Sequence, residues 1–191
     1  MLIAACVKWV DLNPDIDPLH GTVEARPHGA GLSEPDCAAV EVALRLAEQW
    51  GAEVVVSCVG PPEADRALLE LLGAGARRAL RVQVDGLHGP VAPASSEVAR
   101  LLTAAWGAAR PDVVVCGDAS ADRGSGSVPA FVAHELGAAQ ALGLVEVASD
   151  GPGRIAAVRR LDGARREQLR LEAPAVLSVE GAVATLRRAP L

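Results

Sequence analysis

The sequence predicts an α/β fold: a doubly wound, mostly parallel sheet with a C-terminal antiparallel hairpin extension. Three observations lead there. Continuous apolar runs such as Val113-Val114-Val115-Cys116 read as strands covered on both faces, the pattern of a parallel sheet. Stretches with apolar residues at helical spacing alternate with those runs as far as Gly137, and right-handed crossovers turn that order into a parallel sheet. Beyond Gly137 come short strand-like runs separated by Asp150-Gly151-Pro152-Gly153 and Asp162-Gly163, which suit hairpin turns. A chain of 191 residues holds one such domain, with 1–140 as parallel core and 141–191 as antiparallel extension and tail.

Taken in order, Leu2 to Val7 is an apolar strand starting at the terminus. Lys8 follows at the sheet's carboxyl edge, where a charged residue either faces a ligand crevice or stands in solvent. Asn13 to Gly31, broken by proline and glycine, is an irregular excursion in which Thr22-Val-Glu-Ala forms a small antiparallel edge piece. Ser33 caps the next helix, Pro35 sits in its first turn, Ala39, Val40, Ala43, Leu44 and Leu46 form its apolar face, and Gly51 closes it. Glu53 to Val59 is the second strand, followed through Gly60-Pro61-Pro62 by a helix to about Gly73. Ala79 to Val84 is the third strand, Asp85 to Pro93 a loop, and Ser95 to Ala109 a helix carrying Val98, Leu101, Leu102 and Ala105. After the Asp112 strand and its loop, a helix runs from about Val128 to Leu136. The later strands are Leu142 to Ala148, Arg154 to Leu161, Arg166 to Leu171 and Ala175 to Val179, read together as antiparallel additions to the sheet.

The stretch where a ligand belongs is Asp112 to Pro129. Gly117 ends the strand, and from Asp118 to Ser127 the only bulky side chain is Arg123, so main-chain amides can approach a ligand closely. Pro129 suits the first turn of a helix, where its missing N–H costs nothing. Amides at such a helix start, with the hydroxyls of Ser125 and Ser127, form an anion site suited to phosphate. An ordinary strand-to-helix loop, capped by its serines and bent at its glycines, fits the same residues. No Gly-Lys-Ser/Thr occurs, so this is not a Walker loop. In open α/β sheets the ligand crevice lies beyond the strand ends where the winding reverses. With strand one and the Asp112 strand adjacent there, Cys6, the Ser33 helix start, Val59 and the Gly117 loop converge on one crevice.

Composition removes several classes. Half the residues are apolar, but there is one Phe, three Trp and no Tyr, so base stacking on single-stranded nucleic acid has no platform. A formal charge of −6 argues further against a nucleic-acid partner. Residues 151–191 are locally basic, with eight arginines against four acids, which fits a docking surface or, more plainly, a solvated hairpin. Cys6, Cys37, Cys58 and Cys116 form no Cys-x-x-Cys pair and read as small buried hydrophobes in a reducing compartment. His20, His28, His88 and His134 lack metal-ligand spacing. No run has the length of a membrane span and Met1 leads straight into a strand, so the expected location is the cytoplasm.

Several pieces together resemble the β subunit of electron transfer flavoproteins. Cys6-Val-Lys-Trp-Val10 resembles that family's Val-Lys-x-Val, and Ser33-Glu-Pro-Asp36 with Glu41-Val-Ala-Leu-Arg-Leu46 its helix start and Glu-x-Ala-x-Arg-Leu. Val59-Gly-Pro61 and Gly75-Ala-Arg-Arg78 also match. Pro111-Asp-Val-Val-Val-Cys-Gly117 with Asp122 resembles Pro-Asp-Leu-Val-x-x-Gly-x-x-x-x-Asp, and Arg159-Arg-Leu-Asp-Gly163 and Ala173-Pro-Ala-Val176 the later hairpin and strand. The pieces run in consistent order from residue 2 to about 180.

The resemblance implies a Rossmann-like domain that binds AMP structurally and forms one wall of an FAD site held mainly by an α subunit. It implies electron transfer from a dehydrogenase partner to an acceptor. Carried over by position, Cys6, Ser33, Asp36, Val59, Gly117, Asp122, Arg123, Gly124, Ser125, Gly126, Ser127 and Val128 line the AMP pocket; Lys8 joins them as a candidate from its place after strand one alone. Phosphate lies against the Gly124 to Ser127 amides and adenine near Cys6 and Val59. The chain departs from the family in having Ser33 for the usual Asn and Asp122-Arg-Gly-Ser-Gly-Ser-Val128 for Asp-Asp-Asp-Cys-Asn-Gln-Thr. Family members also continue into a partner-recognition loop and a long arm, whereas this sequence finishes at Leu191. The short, arginine-rich form looks like the variant β subunits of mycofactocin-type redox systems.

With no Ser-His-Asp arrangement and no carboxylate pair placed by a motif, the expected role is an electron carrier subunit without bond chemistry of its own. The alternative is an ATP-binding regulatory module of the universal-stress type, which shares the winding and a glycine-rich loop after its fourth strand. An ATP-pyrophosphatase-like enzyme needs a Ser-Gly-Gly-x-Asp-Ser loop after strand one, and Val7-Lys-Trp-Val-Asp11 supplies none.

Overall fold

In the computed structural model, residues 1–24, 29–84 and 93–189 are described. The loop expected at Asp85 to Pro93 thus falls, up to residue 92, outside the described residues, as do His28 and His88. In chain order the strands are β1 (Leu2–Val7), β2 (Trp9–Asp11), β3 (Asp15–Ile16), β4 (Val23–Glu24), β5 (Ala30–Leu32), β6 (Glu53–Val59) and β7 (Arg78–Val82). They continue as β8 (Val113–Gly117), β9 (Ala139–Ser149), β10 (Arg154–Leu161), β11 (Arg165–Glu172) and β12 (Ala175–Val179). The helices are α1 (Glu34–Trp50), α2 (Asp65–Gly73), α3 (Ser95–Trp106) and α4 (Val128–Leu136).

The main sheet has eight strands in the order β11-β10-β9-β12-β8-β1-β6-β7. All neighbours from β9 to β7 are parallel, β10 adds antiparallel to β9, and β11 adds antiparallel to β10. Beside it, β2 pairs with β5 and β3 with β4, which is the irregular excursion expected after strand one. The doubly wound sheet with its antiparallel extension is therefore present, with two corrections. The strand read at Leu142 to Ala148 belongs to β9, which runs parallel to β12 and is antiparallel only to β10. Ala175–Val179 is not antiparallel; it inserts between β8 and β9 and runs parallel to both. Its residues Ala-Val-Leu-Ser-Val are all buried, as a strand covered on both faces requires. A hairpin edge would have left half of them in water.

Alternation along the central strands sorts their side chains into two cores. Ile3, Ala5, Val56, Val113, Val115 and Leu177 pack with α1 and α2, while Ala4, Cys6, Val114, Cys116 and Val176 pack with α3 and α4. Helices thus cover both faces. The small Ala and Val side chains let α1 lie close over β1 and β8. At about 25 cal/mol per Å² of apolar surface removed from water, this burial is the main favourable contribution to folding.

The antiparallel extension is held differently. Arg159 pairs with Glu167, Arg160 with Glu180, Arg166 with Glu146 and Arg170 with Asp150. Four of the eight arginines of 151–191 are thus paired with acids on or beside the hairpin. After β12 the chain crosses α1, where buried Glu41 accepts hydrogen bonds from Arg45 and from the main chain and guanidinium of Arg187. No helix among the described residues is long and apolar enough to cross a membrane.

Candidate nucleotide-binding site

The winding reverses between β1 and β8, which lie side by side with Cys6 opposite Cys116. Their carboxyl ends meet the starts of α1 and α4, and these two helix starts differ.

The start of α1 is closed by its own residues. The main-chain N–H and the hydroxyl of Ser33 both donate to Asp36 Oδ2, at 3.3 and 2.6 Å, in a capping-box arrangement. Both residues are only 6% exposed. Burial pushes the Asp36 carboxyl up to about 6, against the opposing pull of the two Ser33 hydrogen bonds and of Lys8. Gly117 presses on this corner, since a β-carbon there would lie 2.9 Å from Pro35 Cβ and 3.1 Å from the Asp36 nitrogen.

The start of α4 is open. Within the loop before it, Asp118 N–H donates to Val179 O, Gly124 N–H to Ser120 O, and Arg123 N–H to Asp122 Oδ1. The Arg123 guanidinium donates to Pro93 O at 3.0 Å. The N–H groups of Ser125, Gly126, Ser127 and Val128 then donate to no acceptor among the described residues. Gly126 makes this path possible: its φ is +58°, and a β-carbon would fall 2.3 Å from Asp118 O. Ser127 Oγ donates to Ser95 Oγ at 2.9 Å and lies 3.2 Å from Ser125 Oγ, so a run of hydroxyls joins the starts of α3 and α4. Free amides, hydroxyls and the positive end of a helix together favour an anion of phosphate type.

From the end of β1, Lys8 reaches into this loop, its Nζ lying 2.6 and 2.7 Å from the two Asp122 oxygens and 3.5 Å from Ser120 Oγ. Burial raises the Asp122 carboxyl, but the hydrogen bonds from Lys8 and Ser120 outweigh it and hold the group below the usual carboxylate range. Burial and the nearby Glu180 charge push Asp118 up. On the floor, the hydrogen bond with Cys116, followed by burial, holds the Cys6 thiol well above its ordinary value. It is therefore a neutral, small lining group and a poor nucleophile.

Among the residues singled out from the sequence, Lys8 meets Asp122, and Asp122 to Val128 follow one another in the loop that leads into α4. Cys6 and Gly117 lie at the ends of β1 and β8, and Gly117 packs against the first turn of α1 beside Asp36; Cys6, Ser33 and Asp36 are buried and Gly117 is half-buried. Val59 ends β6, one strand beyond β1, and is half-buried. Ser95 and Ser120 were not anticipated, because each acts through a partner on a different segment. A serine at a helix start was the only available signal for Ser95. A separate concavity of about 340 Å³ lies between α1 and β9, away from this edge, and its Arg45 and Ser149 are already bonded to Glu41 and Trp50.

Residues 21–189 match the family described as electron transfer flavoprotein domain. The chain is 34% identical to the electron transfer flavoprotein subunit beta of Mycobacterium tuberculosis over 166 residues, covering 83% of this chain and 60% of that protein. It is 31% identical to the corresponding subunit of Clostridium acetobutylicum, over 79% of this chain and 58% of that one. Protein FixA of Azorhizobium caulinodans is 28% identical over 98% of this chain and 69% of its own length. The chain thus spans about 60% of the length of the first of these curated relatives. A family match over this much of the sequence, together with these relatives, makes the chain a member of the electron transfer flavoprotein domain family, of the β-subunit type.

Proposed function

We propose that this chain is the nucleotide-holding subunit of a two-subunit electron carrier. AMP binds in a structural role at the start of α4, with its phosphate on the amides of Ser125 to Val128 and its adenine toward the ends of β1 and β6. The carboxyl edge of the sheet forms one wall of an FAD site held mainly by an α subunit. When bound, FAD supplies the chemistry that accepts electrons from a dehydrogenase and passes them to an acceptor. This chain makes and breaks no bonds. The side chains present suit the role, because a neutral thiol floor and a glycine-lined loop leave room for a nucleotide and offer no competing nucleophile.

The observation that carries this reading is the run of four main-chain donors, Ser125 to Val128, without an acceptor among the described residues at the β1/β8 reversal. Ser125 is exposed and Gly126 to Val128 are half-buried, so these donors face outward, and donors left open at a helix start are where an anion is gained most readily. Its test is co-expression with the neighbouring reading frame, followed by denaturation of the purified material and identification of the released nucleotide. The expected result is a yellow complex with a flavin spectrum and AMP at about one per β chain. A colourless homodimer that binds ATP and takes up no flavin would replace this reading with the universal-stress type.

A further inference from the structure

We infer that Lys8 is a positioning residue: it ties the 118–127 loop to the end of β1 through Asp122 and so presents the amides of Ser125 to Val128 without touching the anion itself. The inference rests on the phosphate reading above for its second arm only.

Lys8 is the only lysine in the sequence; every other side chain of permanent positive charge is an arginine. Its ammonium has three donors, and three acceptors stand around it: both Asp122 oxygens and, at longer range, Ser120 Oγ. An arginine at this position would offer a planar fork on a longer stem, matching the carboxylate but pushing the Ser120 turn outward. The stem of Lys8 leaves from a fixed point, between buried Val7 at the end of β1 and Trp9 at the start of β2. Its target is fixed too. Asp122 Oδ1 also accepts the Arg123 N–H, and Gly124 N–H closes the turn on Ser120 O, so Ser120 to Gly124 is one closed unit gripped by Lys8. The chain then turns at Gly126 over Asp118 O and delivers the four amides. Asp122 meanwhile neutralises the ammonium, which leaves the main chain to attract the anion.

The test compares the full chain with Lys8→Met, Lys8→Arg and Asp122→Asn by hydrogen exchange and by AMP titration at several salt concentrations. Lys8 is 33% exposed and Asp122 34%, so a fold that does not depend on the pair tolerates each change. Exchange of the hydrogen-bonded loop amides Asp118, Arg123 and Gly124 speeds up roughly three- to tenfold in Lys8→Met and in Asp122→Asn, as expected for losing a partly exposed ion pair, with less effect in Lys8→Arg and none in α2. Unchanged exchange in Lys8→Met would overturn the inference whether or not nucleotide binds. With AMP, both neutral variants lose affinity by a similar factor, the double variant loses no more than either, and the salt dependence stays the same. If Lys8→Met weakens AMP and flattens its salt dependence while Asp122→Asn tightens AMP, Lys8 holds the phosphate directly and the inference fails. If AMP binds neither wild type nor variants but exchange in the loop still responds, the nucleotide reading fails and the positioning role stands.

Discussion

Two helix starts meet at one sheet edge in this protein, and they use their polar groups in opposite ways. At α1 the main-chain N–H and hydroxyl of Ser33 are both taken by the N3 carboxylate of Asp36, Gly117 packs against the first turn, and Ser33 and Asp36 are buried. At α4 the cap residue Ser127 turns its hydroxyl toward Ser95, makes no side-chain bond to its own helix, and leaves its amides open. A helix dipole alone therefore does not mark an anion site. What marks it is whether the chain has already used the donors, and the contrast predicts that substitutions at α4 act on ligand and those at α1 on stability.

The largest expected effect is at Gly126. Gly126→Ala forces a left-handed conformation on a residue with a β-carbon, which costs about 1–2 kcal/mol, and drives that carbon against Asp118 O, which adds about 1–3 kcal/mol. The loop can escape by leaving this conformation, so the loss appears in ligand affinity more than in melting temperature. An AMP affinity reduced roughly 30-fold or more, with less than about 3 °C change in melting of the ligand-free chain, is the expected outcome. Unchanged affinity would mean that the α4 amides are not the site.

Next in size is the proton linkage of Asp36. With a folded pKa of about 6 against an ordinary 3.8, the folded chain holds this proton more tightly than the unfolded chain does. The sign follows: relative to Asp36→Asn, the wild type gains stability as pH falls from about 6 to 4, and it carries the full penalty of the buried charge above 6. The gain reaches on the order of 3 kcal/mol, read as the difference between wild-type and variant denaturation midpoints at each pH. A difference that is flat with pH would show that Asp36 is not buried as a charge. The Glu41 carboxyl behaves oppositely. Burial raises it, but Arg187 and Arg45 together bring it below its usual range, so its contribution is present at neutral pH and fades in acid. Comparison with Asp36→Asn at each pH cancels that contribution.

The same contrast explains what could be read from residues alone. Helix starts, continuous apolar strands and the Gly-Ser bend were legible, because each depends on neighbours in sequence: Ser33 before Pro35, Val113 to Cys116, Gly124 to Ser127. The side-by-side placement of β1 and β8 followed from the winding rule. The position of β12 did not, because a five-residue apolar strand at the end of a chain carries no mark of the pair of strands it enters. Its central place shows only in the structure, where all five of its residues are buried. Likewise Lys8 was legible as a charged residue at the edge, but its hold on Asp122 spans 114 positions and depends on the completed sheet.

The smallest expected effect, Ser33→Ala, sharpens the comparison most cleanly. The substitution removes the hydroxyl that donates to Asp36 at 2.6 Å while leaving the Ser33 main-chain N–H in place. Loss of a cap of this kind costs about 1 kcal/mol. Because that hydroxyl stabilises the ionised carboxylate, its removal also moves the Asp36 titration to higher pH, so the pH-dependent gain begins earlier on acidification. AMP affinity stays within about twofold of wild type if the closed helix start serves only the fold, since the open amides at α4 are untouched. A loss of affinity much larger than that, at a stability cost of about 1 kcal/mol, would show that Ser33 reaches the ligand and that the two helix starts share one site.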